Sequence, residues 1–158
     1  MPDDRLDRAL GDAERVLLDT STLVAFHTRR ELAHDPAKSI FARIQSEDDA
    51  LTGYYSVVSA TELLVRPMRA GLAESAYMHA FLRHFPHLHA LPVDLDVATQ
   101  GATLRAIKNL KTPDALIVAS GVLAGCDAIV TNDEEWKRKL APLFREFRWI
   151  YLGDYLAP

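Results

Sequence analysis

Residues 112–133 read TPDALIVASGVLAGCDAIVTND, and the order of signals in this stretch decides the fold. Thr112, Pro113 and Asp114 supply an N-cap, a first-position proline and an acid in the first turn, which together open a helix. That helix is expected to run from Ala115 to Ala124 and to stop at Gly125. Ala128 to Val130 follows as a continuously apolar run, too short for a helix, that reads as a strand buried on both faces. Asp133 then ends the apolar run and starts a further helix to about Leu140. A helix feeding directly into a doubly buried strand is the signature of a parallel sheet with crossover helices.

The same alternation extends outward in both directions. Val16–Leu18, Leu51–Val58, Leu88–Val93 and Arg148–Leu152 read as further strands, and the intervening segments carry helical periodicity. Helices are expected over residues 23–30, 36–45, 72–85 and 94–107. Ser59 with Glu62 three residues on has the capping-box pattern for another, which Pro67 interrupts or ends. The expected architecture is a three-layer α/β/α sandwich around a mostly parallel sheet of four or five strands. Residues 16–156 are read as a single domain. Residues 1–15 form an N-terminal extension with a weak helical stripe of Leu6, Ala9, Leu10 and Ala13.

Composition limits the function classes. With 158 residues, 49% of them hydrophobic and 25% charged, the chain is long enough to build a full core without staples. The single Cys126 cannot form an internal disulfide, and its apolar setting is that of a buried small hydrophobe. No apolar stretch approaches the ~18 residues of a membrane span, and the start MPDDRLDRALGDAER alternates acids and bases. A cytoplasmic protein without membrane attachment is expected. The net charge of −4 argues only weakly against nucleic acid, because a site built from carboxylates is itself acidic.

Four carboxylates interrupt or end apolar runs: Asp19 in VLLDTS, Glu62 in VVSATELL, Asp114 in KTPDALIVAS and Asp133 in AIVTND. Three have a local explanation: Glu62 as a capping-box partner, Asp114 at the positive end of a helix, Asp133 as a cap. Asp19 follows Leu18 where no helix obviously begins, and its local alternative is an Asx turn with Ser21 or Thr22. Strand ends and first helical turns of a parallel sheet meet along one edge, where such sheets bind ligands. Carboxylates gathered there without a His or Cys cluster select a hard ion, Mg²⁺ or Mn²⁺, and such ions suit phosphodiester hydrolysis.

At LLDTSTLVA (17–25), SATELL (59–64) and TPDALIVASGVLAGCDAIVTND (112–133), the chain resembles the PIN domain family, and within it the VapC-type toxin ribonucleases of toxin–antitoxin pairs. The resemblance implies an Mg²⁺- or Mn²⁺-dependent endoribonuclease that cuts RNA by water attack. Residue by residue, it implies that Asp19, Asp114 and Asp133 are metal ligands and that Glu62 completes the acidic cluster or orients the water. Ser21 and Thr131 match small hydroxyl positions that hold the carboxylates. Glu134 or Glu135 stands ready to assist Asp133. Implied partners are RNA, a small antitoxin protein and a second copy in a homodimer. The alternatives are a catalytically weak PIN-like module for RNA or protein binding, and a housekeeping RNA-processing nuclease.

Other residues divide less sharply. Arg29, Arg30, Lys38, Arg66, Arg69, Lys108 and Lys111 flank the acids, as RNA phosphate contacts or as a solvated face. Among the histidines, His27 and His34 lie closest to the expected edge. His79, His84, His87 and His89 show no metal-ligand spacing. Tyr54 and Tyr55 are candidates for base stacking, although adjacent strand residues point to opposite faces. A phosphatase with an aspartate nucleophile is disfavoured because position 21 is Ser, where a second acid is wanted.

Overall fold

The computed structural model describes residues 4–157, and the statements below concern those residues. The chain runs α1 (Asp4–Leu10), β1 (Arg15–Leu18), α2 (Thr20–His27), α3 (His34–Gln45), β2 (Thr52–Ser56), α4 (Val57–Ala70), α5 (Leu72–His84), β3 (Leu88–Leu91), α6 (Leu95–Lys108), α7 (Thr112–Leu123), β4 (Ala128–Thr131), α8 (Glu134–Lys139) and β5 (Arg148–Tyr151). Short 3₁₀ turns cover Ala141–Leu143 and Leu152–Tyr155. The strands form one parallel sheet in the order β3-β2-β1-β4-β5.

Two apolar cores lie on opposite faces of that sheet, and alternate strand residues feed them. Val16, Leu18, Tyr55, Ala128, Val130 and Ile150 join residues of α1 to α5 on one face. Leu17 and Ile129 join Val97, Leu104, Ile117, Val118 and Trp136 on the other. Period-two alternation into two cores is why these strands are apolar without a break. The three-layer α/β/α architecture expected from the sequence is thus present, and the mostly parallel sheet of four or five strands is five-stranded and parallel throughout.

The path of the chain positions the site. From β1 it winds outward through β2 to β3 with its helices on the first face, then returns to the other side of β1 through α6 and α7 on the second face. The winding reverses at β1 and β4, and the carboxyl ends of those strands frame the crevice that an open α/β sheet offers to ligands.

Several local boundaries differ from the sequence expectation. The helix after β1 begins at Thr20, not Leu23, because Asp19 itself is its N-cap. The Ser59–Glu62 capping box does not form: β2 passes straight into α4, and Ser56 at the junction caps it by accepting from the Val58 N–H at 3.1 Å. Ser59 is instead buried one turn inside the helix. Pro67 sits within α4 without ending it, and Gly71, at φ 142°, makes the break before α5. Lys111, not Thr112, occupies the cap position of α7, with no side-chain cap bond.

The N-terminal segment packs on the domain. Leu6 and Leu10 are buried in the first core, and the Arg148 guanidinium bonds both the Leu10 carbonyl and the Asp12 carboxylate. The Asp127 carboxylate accepts the backbone N–H groups of Glu14 and Arg15, each at 2.9 Å, at the entry to β1. Cys126 is buried and its thiol is pushed up to about 12 by that burial, so it is an inert packing residue.

Candidate active site

Asp19 leaves β1 in an extended conformation and is 3% exposed. A buried carboxylate needs donors. Asp19 has a full set: on Oδ1 the Thr22 N–H at 2.9 Å and the Ser21 hydroxyl at 2.7 Å, with the Thr22 hydroxyl at 3.0 Å, and on Oδ2 the Thr131 hydroxyl at 2.7 Å. The helix-capping bond explains why the chain turns here; the remaining donors exceed what a cap requires.

The Ser21 and Thr131 hydroxyls also tie Asp19 to the opposite strand. Ser21 Oγ accepts the Asn132 N–H at 2.8 Å, and Thr131 Oγ1 accepts the Asp133 N–H at 3.0 Å. Both hydroxyls donate toward Asp19 while accepting from the loop that carries Asp133. The backbone continues the link, with the Asp19 N–H donating to the Val130 carbonyl at 3.2 Å.

Three of the four acids feel one another electrostatically, in a chain from Glu62 on α4 through Asp114 to Asp133 at the start of α8, while Asp19 is joined to Asp133 through the Thr131 hydroxyl. Burial raises the Glu62 carboxyl above its usual range and the nearby Asp114 charge raises it further, while the Thr20 hydroxyl opposes the shift. That hydroxyl has no hydrogen-bond partner of good geometry, although it lies close enough to Glu62 to favour the ionised form. Asp114, in the first turn of α7, is likewise raised by burial and by Asp133 and Glu135, against donation from Trp136 and the charge of Lys111. Asp133 caps α8, its Oδ1 accepting the Glu135 N–H at 2.8 Å. Burial pushes Asp19 up to about 6 despite Thr131, Ser21 and Thr22.

Glu135 faces Asp114 but is drawn to Lys139, whose ammonium holds its carboxyl below the usual range. The sequence selects Asp133 and leaves Glu134 or Glu135 as assistants; of these two, Glu135 acts electrostatically on Asp114. It names Thr22 only as a local turn partner of Asp19 and misses Trp136, which acts on Asp114. Thr22 carries one signal, its position three residues after an acid at a strand end.

The donor chemistry fits a hard divalent cation. All the groups are carboxylates, and no Lys or Arg among the described residues pairs with Asp19. As the side chains stand, no three His, Cys, Asp or Glu groups among the described residues lie close enough to enclose an ion. Glu62 is exposed and Asp114 half-buried, so neither is locked into a dry core as Asp19 is. The four later histidines lie elsewhere: His79 is within α5 and His84 ends it, His87 lies before β3 and His89 is on β3.

A PIN domain family model matches residues 16–140. Among solved structures, the chain is similar to VapC20 of Mycobacterium tuberculosis, a toxin that cleaves the sarcin–ricin loop. Identity is 17% over 78% of this chain and 93% of that one, with a TM-score of 0.62. It is similar to a toxin–antitoxin complex from Klebsiella pneumoniae at 20% identity, covering 87% and 97% of the two chains, with a TM-score of 0.63. VapBC2 of Rickettsia felis, bound to a DNA fragment from its promoter, matches at 14% identity over 87% and 98%, with a TM-score of 0.62. Likeness at these identities is likeness of fold. No curated protein sequence matches the chain.

Proposed function

The chain belongs to the PIN domain family, and from that premise we propose that it is an Mg²⁺- or Mn²⁺-dependent endoribonuclease serving as the toxin of a toxin–antitoxin pair. The single observation that carries this reading is Asp19: a fully buried carboxylate at the switch point of a parallel sheet, with hydroxyl donors on both oxygens and no cation of the chain beside it. An acid held so firmly, and at such desolvation cost, is placed for a ligand that compensates it.

In this reading Asp19, Asp114 and Asp133 hold the ion. When bound, it supplies Lewis acidity toward the phosphodiester oxygens and offsets the charge that develops there. Ser21, Thr22 and Thr131 keep Asp19 oriented. Glu62 lies near the acids with a raised pKa and an exposed side chain, which suits it to orient the attacking water and accept its proton. Residues 16–156 form the catalytic domain and residues 1–15 an extension docked on it. The toxin–antitoxin systems among the structural neighbours support a small antitoxin protein as partner, and a homodimer in the cytoplasm completes the proposal. No helix among the described residues is long and apolar enough to cross a membrane.

The test is cleavage of structured RNA by protein purified free of antitoxin, with Mg²⁺, with Mn²⁺ or with chelator, beside Asp19→Asn and Asp114→Asn. The expected result is metal-dependent scission that both substitutions abolish. Scission in chelator, or variants as active as the parent, would refute the assignment. Expression without a partner is expected to arrest growth in the parent and not in Asp114→Asn.

A further inference from the structure

Of the seven basic residues that flank the acids in sequence, the fold brings four together. Arg29 and Arg30 follow α2, Lys38 lies on α3 and Arg66 on α4, and all line one groove of about 1230 Å³ that has Glu62 on its wall. None of the four makes an ion pair or a side-chain hydrogen bond among the described residues, and all are exposed. The others are used elsewhere or lie outside. Lys108 donates to the Leu143 carbonyl at 2.6 Å over the Phe144 ring, Lys111 acts on Asp114, and Arg69 does not line the groove.

Unneutralised cations crowded into one concavity repel one another and are retained most readily for an anionic ligand. The acids of the groove, Glu62 and Glu74, leave the cations in excess, and His27 adds no charge because burial lowers it to about 4. The groove is open and not enclosed, a shape that suits an extended chain better than a small molecule. One aromatic ring is presented there: Tyr77, 66% exposed, with its edge against His27. A cationic groove with an exposed aromatic platform is the pattern that holds single-stranded nucleic acid, phosphates on the cations and a base on the ring.

We propose that this groove is the track for a single-stranded segment of the RNA substrate, with Arg29, Arg30, Lys38 and Arg66 on its phosphates, Tyr77 under a base, and Glu62 marking where the strand enters the acidic cluster. The assignment rests on the ribonuclease reading and names the path by which substrate reaches that site. The four cations and Tyr77 position the strand and do not take part in the chemistry.

The experiment is fluorescence anisotropy of a labelled single-stranded oligoribonucleotide on the full chain, in chelator so that the strand stays intact, across a salt series. Replacing Lys38 or Arg66 by Ala is expected to weaken binding and to reduce the slope of log K against log salt by about 0.7 each, and the double change Arg29→Ala/Arg30→Ala by about 1.4. Tyr77→Ala is expected to weaken binding by roughly 5- to 150-fold, the range of one base–aromatic stack, while Tyr77→Phe retains it. Arg69→Ala, just along α4 but outside the groove, is expected to change neither quantity. Salt slopes unaltered by every groove variant, or altered equally by Arg69→Ala, overturn the proposal. So does displacement of an acidic peptide by these substitutions with RNA binding untouched. Cleavage that depends on Asp19 and Asp114 while binding ignores the groove defeats this proposal alone. A parent that never cleaves RNA defeats the ribonuclease reading, whatever the binding shows.

Discussion

The Thr131 hydroxyl donates to Asp19 Oδ2 at 2.7 Å while its oxygen accepts the Asp133 N–H at 3.0 Å, so one side chain orients two candidate ligands at once. Thr131→Val keeps the shape and removes both bonds. A stability loss of about 1–3 kcal/mol is expected from a buried carboxylate that loses a donor. Cleavage is expected to fall about 10- to 100-fold, as when an outer partner of a metal ligand is removed. Denaturant melts and cleavage rates check this, and Thr131→Ser should recover most of both. Ser21→Ala is expected to couple with Thr131→Val in a double-mutant cycle, because both hydroxyls serve the same carboxylate.

Divalent metal should stabilise the fold. At a concentration one hundred times its Kd, a ligand specific to the folded state adds about 2.7 kcal/mol. In a chain of this length that corresponds to a rise in Tm of roughly 5–10 °C. The rise is expected with Mn²⁺ or Mg²⁺ at neutral pH, is reversed by chelator, and is absent in Asp19→Asn. Calorimetry with and without metal measures it, and an equal rise in the variant would place the ion elsewhere.

Acid should weaken the fold through His27. Burial first, and the neighbouring His34 second, lower its pKa from 6.5 to about 4. Between those values the unfolded chain binds the proton more readily than the folded one. The stabilising contribution of the neutral ring is therefore fully present above pH 6.5 and is lost as pH falls through 4. His27→Phe, which preserves an aromatic ring against Phe26 and Phe81, is expected to show a smaller fall in Tm between pH 7 and pH 4.5. An identical fall in both proteins would assign the acid sensitivity to other groups.

The contact between α7 and β1 should tolerate no added volume. A Cβ on Gly121 would lie 2.7 Å from Leu17 Cδ2, and Leu17 is fully buried two residues before Asp19. Gly121→Ala gains up to ~1 kcal/mol of helix propensity, but overpacking costs about 1–3 kcal/mol, so a net loss of stability is expected. Thermal melts decide the sign.

The fold was legible wherever local signals and tertiary demands agree. β4 and α7 could be read from residues 112–133 because proline, acid, glycine and a doubly buried strand follow in an order that only a crossover unit satisfies. The Ser59–Glu62 pattern failed because the chain passes from β2 to α4 without a loop. That put the cap at Ser56 and left Ser59 facing the interior. Asp19 was singled out as an unusual acid, yet the helix after it was expected to start at Leu23 and not at Thr20, since Thr20, Ser21 and Thr22 have weak helical propensity and the cap brings them into the helix. Which flanking cations gather was beyond any linear reading. Arg29 and Arg66 are separated by a whole crossover, and only the packing of α2 against α4 unites them.

The Asp127 carboxylate at the start of β4 and the Asp19–Thr131 bond at its end pin the central strand pair at both extremities. A slip of register would break both anchors and turn Leu17 and Ile129 into the wrong core. The β1–β4 edge is therefore a fixed datum, and under the proposed metal binding any adjustment to ions of different radius falls to the less buried carboxylates of α4 and α7. If the proposed site binds either ion, discrimination between Mg²⁺ and the larger Mn²⁺ is expected to respond to substitutions around those two helices and not to changes in the strands.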